Sequence, residues 1–139
     1  MRAPPSAVAE DSTLRRSHVL IVDDEELYRR ALERILVRCG YTITCARDAS
    51  EAMRVVSAEP VDLVLCDLTM PEETGAEFFE QLKLTHPQLC TRFVFMSGGV
   101  WSASTTEFVA RSGCPHVEKP FSLDELRQLL HALIAKPSS

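Results

Sequence analysis

The sequence alternates between short strand-forming runs and segments with a helical period, and this pair of signals occurs five times. The strand-forming runs are Val19–Val22, Tyr41–Cys45, Val61–Cys66, Phe93–Met96 and His116–Glu118. Because crossovers between parallel strands are right-handed and carry a helix across the sheet, five such units favour one parallel sheet. The alternation therefore predicts an α/β fold, a doubly wound five-stranded parallel sheet with helices on both faces.

Each run is followed by a predicted helix. The first begins at Glu25 and is stopped by Gly40, and apolar residues four positions apart predict a buried face of Leu27, Ala31, Ile35 and Cys39. The later helices are predicted over Ala49–Ala58, around Phe78, Phe79 and Leu82, over Ala103–Arg111, and from Ser122 with Leu126, Leu130 and Leu133 inward. The helix over Ala103–Arg111 is rich in Ser and Thr, so we expect it to be weak.

The composition indicates one intracellular domain. A chain of 139 residues can bury a core without disulfides or a metal. With 15 Lys and Arg against 20 Asp and Glu, the net charge is −5, and no basic patch predicts a nucleic-acid partner. Five scattered cysteines without a CxxC spacing indicate reduced thiols in a cytoplasmic protein.

The ends of the chain differ from its centre in composition. Residues 1–17 are rich in Pro, Ala and Ser and predict a flexible tail or linker, and residues 136–139 predict a frayed C-terminus. The folded domain is predicted over residues 18–135. No segment has the length and apolarity of a membrane span or of a secretory signal, so we expect no membrane partner.

Polar side chains follow four of the five predicted strands. They are Asp23 and Asp24 after the first strand, Asp67 after the third, Ser97 after the fourth and Lys119 after the fifth. Ligands of doubly wound sheets bind beyond the carboxyl ends of the strands, so we expect these side chains to converge. Packed carboxylates repel unless they share a proton or a cation. An oxygen-rich cluster without His or Cys selects Mg²⁺ or Mn²⁺.

Helix capping is the alternative interpretation of Asp23 and Asp24, since acidic residues favour a helix N-terminus. It does not explain why Asp67 reaches the same edge from another strand. A carboxylate at the end of a buried strand, with Mg²⁺ beside it, can attack a phosphoryl group and form an acyl phosphate. Lys119 would offset the charge of the phosphoryl oxygens and Ser97 would donate a hydrogen bond to one of them.

Four motifs carry a resemblance to a known family. They are VDDE (Val22–Glu25), CDLTMP (Cys66–Pro71), FMSGG (Phe95–Gly99) and EKPF (Glu118–Phe121). In this order they resemble the CheY-like receiver domain of two-component response regulators, and the resemblance covers about residues 18–135. It implies a flavodoxin-like (βα)5 fold with strand order 2-1-3-4-5. It also implies a signalling switch that catalyses only its own phosphorylation and dephosphorylation.

The resemblance implies roles for the residues at the strand ends. Asp67 would be the phospho-acceptor, and it would take its phosphoryl group from a phosphohistidine of a sensor or hybrid histidine kinase. Asp24 would bind Mg²⁺ directly and Asp23 largely through water. The backbone carbonyl of Thr69 would complete the protein ligands.

Further roles concern the fourth and fifth strands. Ser97 would be the switch hydroxyl, Lys119 would pair with the phosphoryl group, and the Lys119–Pro120 bond would be cis. His116 stands at the switch position, where it is either a moving side chain or a half-buried edge-strand residue. The output face would comprise the fourth helix, fifth strand and fifth helix. There an unidentified downstream protein or a second copy of the chain would bind, with Leu129 as a candidate contact.

Two other functions fit part of the pattern. A haloacid dehalogenase-type phosphohydrolase also uses Asp, Mg²⁺, a hydroxyl and Lys, but it needs a second Asp where this chain has Thr69. The second alternative is a phosphate-independent interaction module. The presence of every residue type of the acceptor site argues against that module. Either a stand-alone receiver or a receiver from a hybrid kinase is consistent with the sequence.

Overall fold

The computed structural model of this chain describes residues 17–68, 74–98 and 102–135. Strands and helices alternate along it, as the sequence predicts. In chain order they are β1 (His18–Val22), α1 (Glu26–Arg38), β2 (Thr42–Ala46), α2 (Ala49–Ala58), β3 (Leu63–Asp67), α3 (Gly75–Thr85), a 3₁₀ helix (Pro87–Arg92), β4 (Phe93–Ser97), α4 (Ala103–Ser112), β5 (His116–Glu118) and α5 (Leu123–Ala135). The tail predicted over residues 1–17 lies outside the described residues except for Ser17, as does the predicted C-terminus 136–139.

The five strands form one parallel sheet in the order β2-β1-β3-β4-β5. Val22 pairs with Cys66, Cys66 pairs with Phe95, and Met96 pairs with Val117. All residues of β1, β3 and β4 are buried, which explains why these segments read as continuous apolar runs. The predicted fold class and strand order are confirmed.

Two apolar clusters lie on opposite faces of the sheet. Successive side chains of a strand point to opposite faces, so Leu20 belongs to one cluster and Ile21 to the other. The cluster containing Leu20 also takes buried residues of α2, α3 and α4, and that containing Ile21 takes buried residues of α1 and α5. Helices therefore cover both faces, as predicted.

The predicted buried face of α1 is wrong. Leu27 is 85% exposed and Ile35 is 38% exposed, whereas Leu32 and Leu36 are buried. Two apolar stripes run along this helix one residue apart, and each has the four-residue period. The period cannot choose between them, because the choice depends on the angle at which the helix meets the sheet.

The contact predicted at Leu129 of α5 is also corrected. Leu126 and Leu130 are buried and Leu133 is half-buried, as predicted, but Leu129 is half-buried in the same cluster. It lies three residues after Leu126, and residues three apart share one side of a helix. Leu129 therefore belongs to the border of the core.

No helix within the described segments is long and apolar enough to cross a membrane.

Gly75 holds the start of α3 close to the end of β3. Thr74 and Glu77 form a capping box at this helix terminus, and the backbone N–H of Gly75 donates to the carbonyl of Leu68 at 3.1 Å. A Cβ at position 75 would collide with the backbone carbonyl of Asp67 and lie 3.1 Å from the Cα of Leu68. This close approach of two backbones requires glycine.

We expect Gly75→Ala to lower the free energy of unfolding by about 1–3 kcal/mol, because the added methyl group must displace the backbone around Asp67. Denaturant unfolding would measure the loss. Gly98→Ala is the matched control, since among the described residues a Cβ there would meet the Cδ of Lys119, at an ordinary 3.8 Å. Equal stability of the two variants would contradict the steric explanation.

Candidate functional site

The polar residues predicted at the strand ends converge at the carboxyl edge of the sheet. Asp23 follows β1, Asp67 ends β3, Ser97 ends β4 and Lys119 follows β5. Asp23, Asp67 and Ser97 are all buried. The neighbouring positions of β1, β3 and β4 in the sheet bring these side chains together.

The ammonium group of Lys119 is shared by three carboxylates. Its Nζ lies 2.7 Å from Oδ2 of Asp23, 3.2 Å from Oε1 of Glu25 and 3.4 Å from Oδ2 of Asp67. One ammonium facing three carboxylates leaves an excess of negative charge. A second cation that bound at this site would offset the remaining negative charge.

Asp23, Glu25 and Asp67 can each offer a carboxylate oxygen, and these oxygens lie within 4.8 Å of one another. Three carboxylate oxygens fit Mg²⁺ or Mn²⁺, because these ions prefer oxygen ligands and complete their coordination with water. Asp24 is exposed and does not belong to this group of described carboxylates. Thr69, whose carbonyl was predicted as a ligand, lies outside the described residues.

Sequence reasoning missed Glu25 as a member of the site. The sequence pattern places Glu25 at the start of the first helix, whereas the helix begins one residue later, at Glu26. The signal was present, because four acidic residues, at positions 23–26, follow β1 directly, and only their backbone path decides which of them face the site. Here the path selects Asp23 and Glu25.

The backbone fixes the position of Asp23. Its backbone N–H donates to the carbonyl of Ala46 at 3.0 Å, and its Oδ1 accepts the N–H of Glu25 at 2.9 Å. Its carbonyl accepts a hydrogen bond from the guanidinium of Arg29 at 2.7 Å. The carboxylate of Asp23 is therefore held in one orientation, with Oδ2 toward Lys119.

Electrostatics favour the charged form of Lys119. Burial by itself would lower the pKa of this amine, but the hydrogen bond to Asp23 and the charges of Asp67 and Asp23 outweigh burial and raise the pKa above its usual 10.5. The backbone N–H of Lys119 donates to the carbonyl of Ser97 at 2.7 Å. The Lys119–Pro120 peptide bond is cis, the form that the resemblance implied.

Tyr28 is a second residue of the site that sequence reasoning missed. The centre of its ring lies 4.2 Å from Nζ of Lys119. Burial raises the pKa of Tyr28 to about 12; the charge of Lys119 opposes this shift, while the carboxylates Asp23, Asp67 and Glu25 add to it. No motif signalled this residue, because Tyr28 and Lys119 are far apart in the sequence.

The hydroxyl of Ser97 is buried and has no hydrogen-bond partner among the described residues. Buried polar groups are nearly always paired, so an unpaired hydroxyl at a strand end suits an oxygen atom that arrives from outside the protein. A phosphoryl oxygen on Asp67 would be such an acceptor.

His116 is exposed on β5, where its backbone pairs with Phe95. Of the two interpretations of His116, the half-buried edge-strand residue is therefore wrong. β5 is an outer strand of the sheet, so the side chain of His116 is covered on one side only by a neighbouring strand. The role of His116 as a switch stays a prediction.

A family model described as the response regulator receiver domain matches residues 19–131. The chain belongs to this family. The family resemblance carried by the four sequence motifs is confirmed. The chain is thus a receiver domain of two-component systems, a phospho-accepting signalling switch, and receiver domains interact with histidine kinases.

Curated relatives include sensors and regulators. The chain is 32% identical over 120 residues to the sensor kinase CckA of Brucella abortus. These aligned residues cover 85% of this chain and 12% of the relative. It is 29% identical over 119 residues to protein PetR of Rhodobacter capsulatus, covering 86% of this chain and 49% of the relative. The chain thus spans half or less of the length of these relatives.

Solved structures show the same fold. A response regulator receiver protein from Pseudomonas putida matches with a TM-score of 0.77 and 26% identity, covering 84% of this chain and 97% of that protein. The response regulator TrrA from Thermotoga maritima, solved in complex with Mg²⁺ and BeF, matches with a TM-score of 0.73 and 26% identity, covering 84% of this chain and 98% of that protein.

The environment of Tyr28 predicts an alkaline titration. In a Tyr41→Phe variant Tyr28 is the one remaining tyrosine, and we expect its phenolate absorbance to appear with a midpoint near pH 12. The folded form holds the phenol proton more tightly than the unfolded form, whose pKa is 10.0. This contribution to stability is therefore complete below pH 10 and is lost as the pH rises toward 12. A midpoint at the ordinary value would contradict the burial of the phenol.

Proposed function

We propose that Asp67 accepts a phosphoryl group from a phosphohistidine of a histidine kinase, that Mg²⁺ assists the transfer, and that a partner protein reads the change. The observation that carries this proposal is the position of the Asp67 carboxylate. It lies at the end of a buried strand, 3.4 Å from a lysine ammonium and beside two further carboxylates. This arrangement provides a nucleophile, a fixed positive charge and metal ligands in one place.

Mg²⁺ would be held by Asp23 and Asp67, together with an acidic residue from the segment between β1 and α1. Glu25 is the candidate that the geometry supports, and Asp24, with the Thr69 carbonyl, is the candidate that the family resemblance supports. A bound Mg²⁺ offsets the negative charge of the phosphoryl oxygens. The burial of Asp23 and its hydrogen bonds with Ala46, Glu25 and Arg29 hold its carboxylate in place.

Phosphoryl transfer would form a bond between a carboxylate oxygen of Asp67 and phosphorus and break the bond from phosphorus to the donor histidine nitrogen. Lys119 would then move its hydrogen bonds from the carboxylates toward the phosphoryl oxygens. Ser97 would donate its unpaired hydroxyl to one of those oxygens. The added charge is thus compensated by groups that already stand at the site.

The change would spread through the segment that follows Ser97. Of the ten residues of α4, Val109 is the one buried side chain, and Phe108 adds half-buried contacts with the rings of Phe79 and Phe95. Most of the helix surface is therefore not packed in the core. Such an element can shift at low cost. We propose α4, β5 and α5 as the output face, with His116 exposed on the outer strand.

Incubation with acetyl phosphate and Mg²⁺ tests the acceptor. We expect intact mass spectrometry to show one added phosphoryl group on the native chain and none on Asp67→Ala, because the nucleophilic carboxylate is gone. Asp124→Asn, which removes an exposed acid of α5, is the matched control and should be phosphorylated. EDTA should prevent the reaction. A phosphoryl group on Asp67→Ala would refute the assignment.

Calorimetric titration with Mg²⁺ tests the metal ligands. We expect Asp23→Asn to weaken binding about tenfold or more. Glu26→Gln, which removes an exposed acid paired with Arg30, should change binding less than twofold. The comparison of Asp24→Asn with Glu25→Gln then identifies the third carboxylate by the larger loss. Native affinity in Asp23→Asn would refute the proposed site.

A further inference from the structure

The ring of Tyr28 contacts two residues of the segment that follows β5, Lys119 and Phe121. Its face is turned to the ammonium of Lys119, with 4.2 Å between Nζ and the ring centre. Its ring also meets that of Phe121 edge to face, at 6.2 Å between centres and 90° between planes. Tyr28 stands on the first turn of α1, so a single side chain joins this helix to the residues on either side of Pro120.

The three carboxylates bind an ammonium that stands at the end of a flexible side chain. Nζ of Lys119 is at 2.7, 3.2 and 3.4 Å from three acids, on a flexible four-carbon stem. An aromatic face attracts a cation and leaves no room for it on that side. The Lys119 side chain is only 12% exposed, so the ring and the carboxylates together enclose it.

The ring itself is well held. Besides the contact with Phe121, Tyr28 lines an apolar groove between α1 and α5 with Ile35, Leu123 and Leu126. Part of its surface packs against the cluster of α1 and α5. A ring that packs against these side chains can restrict the motion of the lysine beside it.

We propose that Tyr28 is a positioning residue of the phosphoryl site, whose ring holds the Lys119 ammonium beside Asp67. This inference rests on the proposed phosphorylation of Asp67. Tyr28 does not touch the reacting atoms. It limits the positions that the lysine samples, so that the positive charge already stands where the phosphoryl oxygens arrive.

Two substitutions separate the ring from the hydroxyl. Tyr28→Phe keeps the ring over the ammonium, and Tyr28→Leu removes it while it keeps an apolar side chain. With acetyl phosphate and Mg²⁺, whose phosphoryl group moves to Asp67 as acetate leaves, we expect Tyr28→Phe to react within twofold of the native rate. We expect Tyr28→Leu to react about fivefold more slowly, as for the loss of a cation–π contact of ordinary strength. Tyr41→Leu, at the other tyrosine, is the matched control and should keep the native rate.

Nuclear magnetic resonance can detect the ring beside Lys119 directly, through a chemical shift that a general loss of stability would not produce. The Cε protons of Lys119 should be shifted upfield by the ring in the native chain and in Tyr28→Phe, and this shift should vanish in Tyr28→Leu. If Tyr28→Leu does not fold, Tyr28→Met replaces it. A native rate in the folded ringless variant, equal slowing in Tyr28→Phe, or an unshifted lysine in the native chain would overturn the inference.

The two proposals fail in different ways. If the native chain takes no phosphoryl group from acetyl phosphate or from a histidine kinase, the proposed function fails, and the inference about the rate fails with it. If the native chain is phosphorylated and the ring makes no difference, the role of Tyr28 alone is refuted. A native rate for Lys119→Met in the same assay would also overturn the role of Tyr28, because the ring is proposed to act through this lysine.

Discussion

The ion pairs of Lys119 with Asp23, Glu25 and Asp67 are the interaction on which the rest of the site depends. Two of these acids are buried, and buried carboxylates of like charge are stable together only if a cation offsets them. Lys119 supplies that cation from β5, which lies two strands away from β3 in the sheet. The short β5 strand is therefore more than a sheet edge, because its register brings the ammonium to the acceptor.

The structure around this interaction divides into a rigid part and a loosely held part. The central strands β1, β3 and β4 are buried throughout, and Gly75 allows α3 to approach the end of β3. These elements fix Asp23 and Asp67. By contrast α4 contributes one buried side chain and β5 is an outer strand of three residues. A change at Asp67 would therefore displace α4 and β5 more easily than the central strands.

Particular residues show how far the sequence could be read. The strand-end positions of Asp23, Asp67, Ser97 and Lys119 followed from the alternation of runs, because parallel strands bring their carboxyl ends to one edge. Glu25 and Tyr28 did not follow, since their contribution depends on the direction in which α1 leaves β1. The same uncertainty explains the wrong buried face of α1. Asp24 and Glu25 both carry a carboxylate, so the sequence alone does not show which of them faces the site. The path of the backbone decides this.

The sequence by itself determined the fold class, the order of the elements, the family and the set of side chains at the strand ends, because hydrophobic periods and motifs are local properties of the chain. Tertiary structure decided which apolar stripe of α1 packs on the sheet, which acids share the ammonium of Lys119 and which ring covers it. These relations join residues up to 96 positions apart. They depend on helix angles and on side-chain packing, which a one-dimensional pattern does not specify.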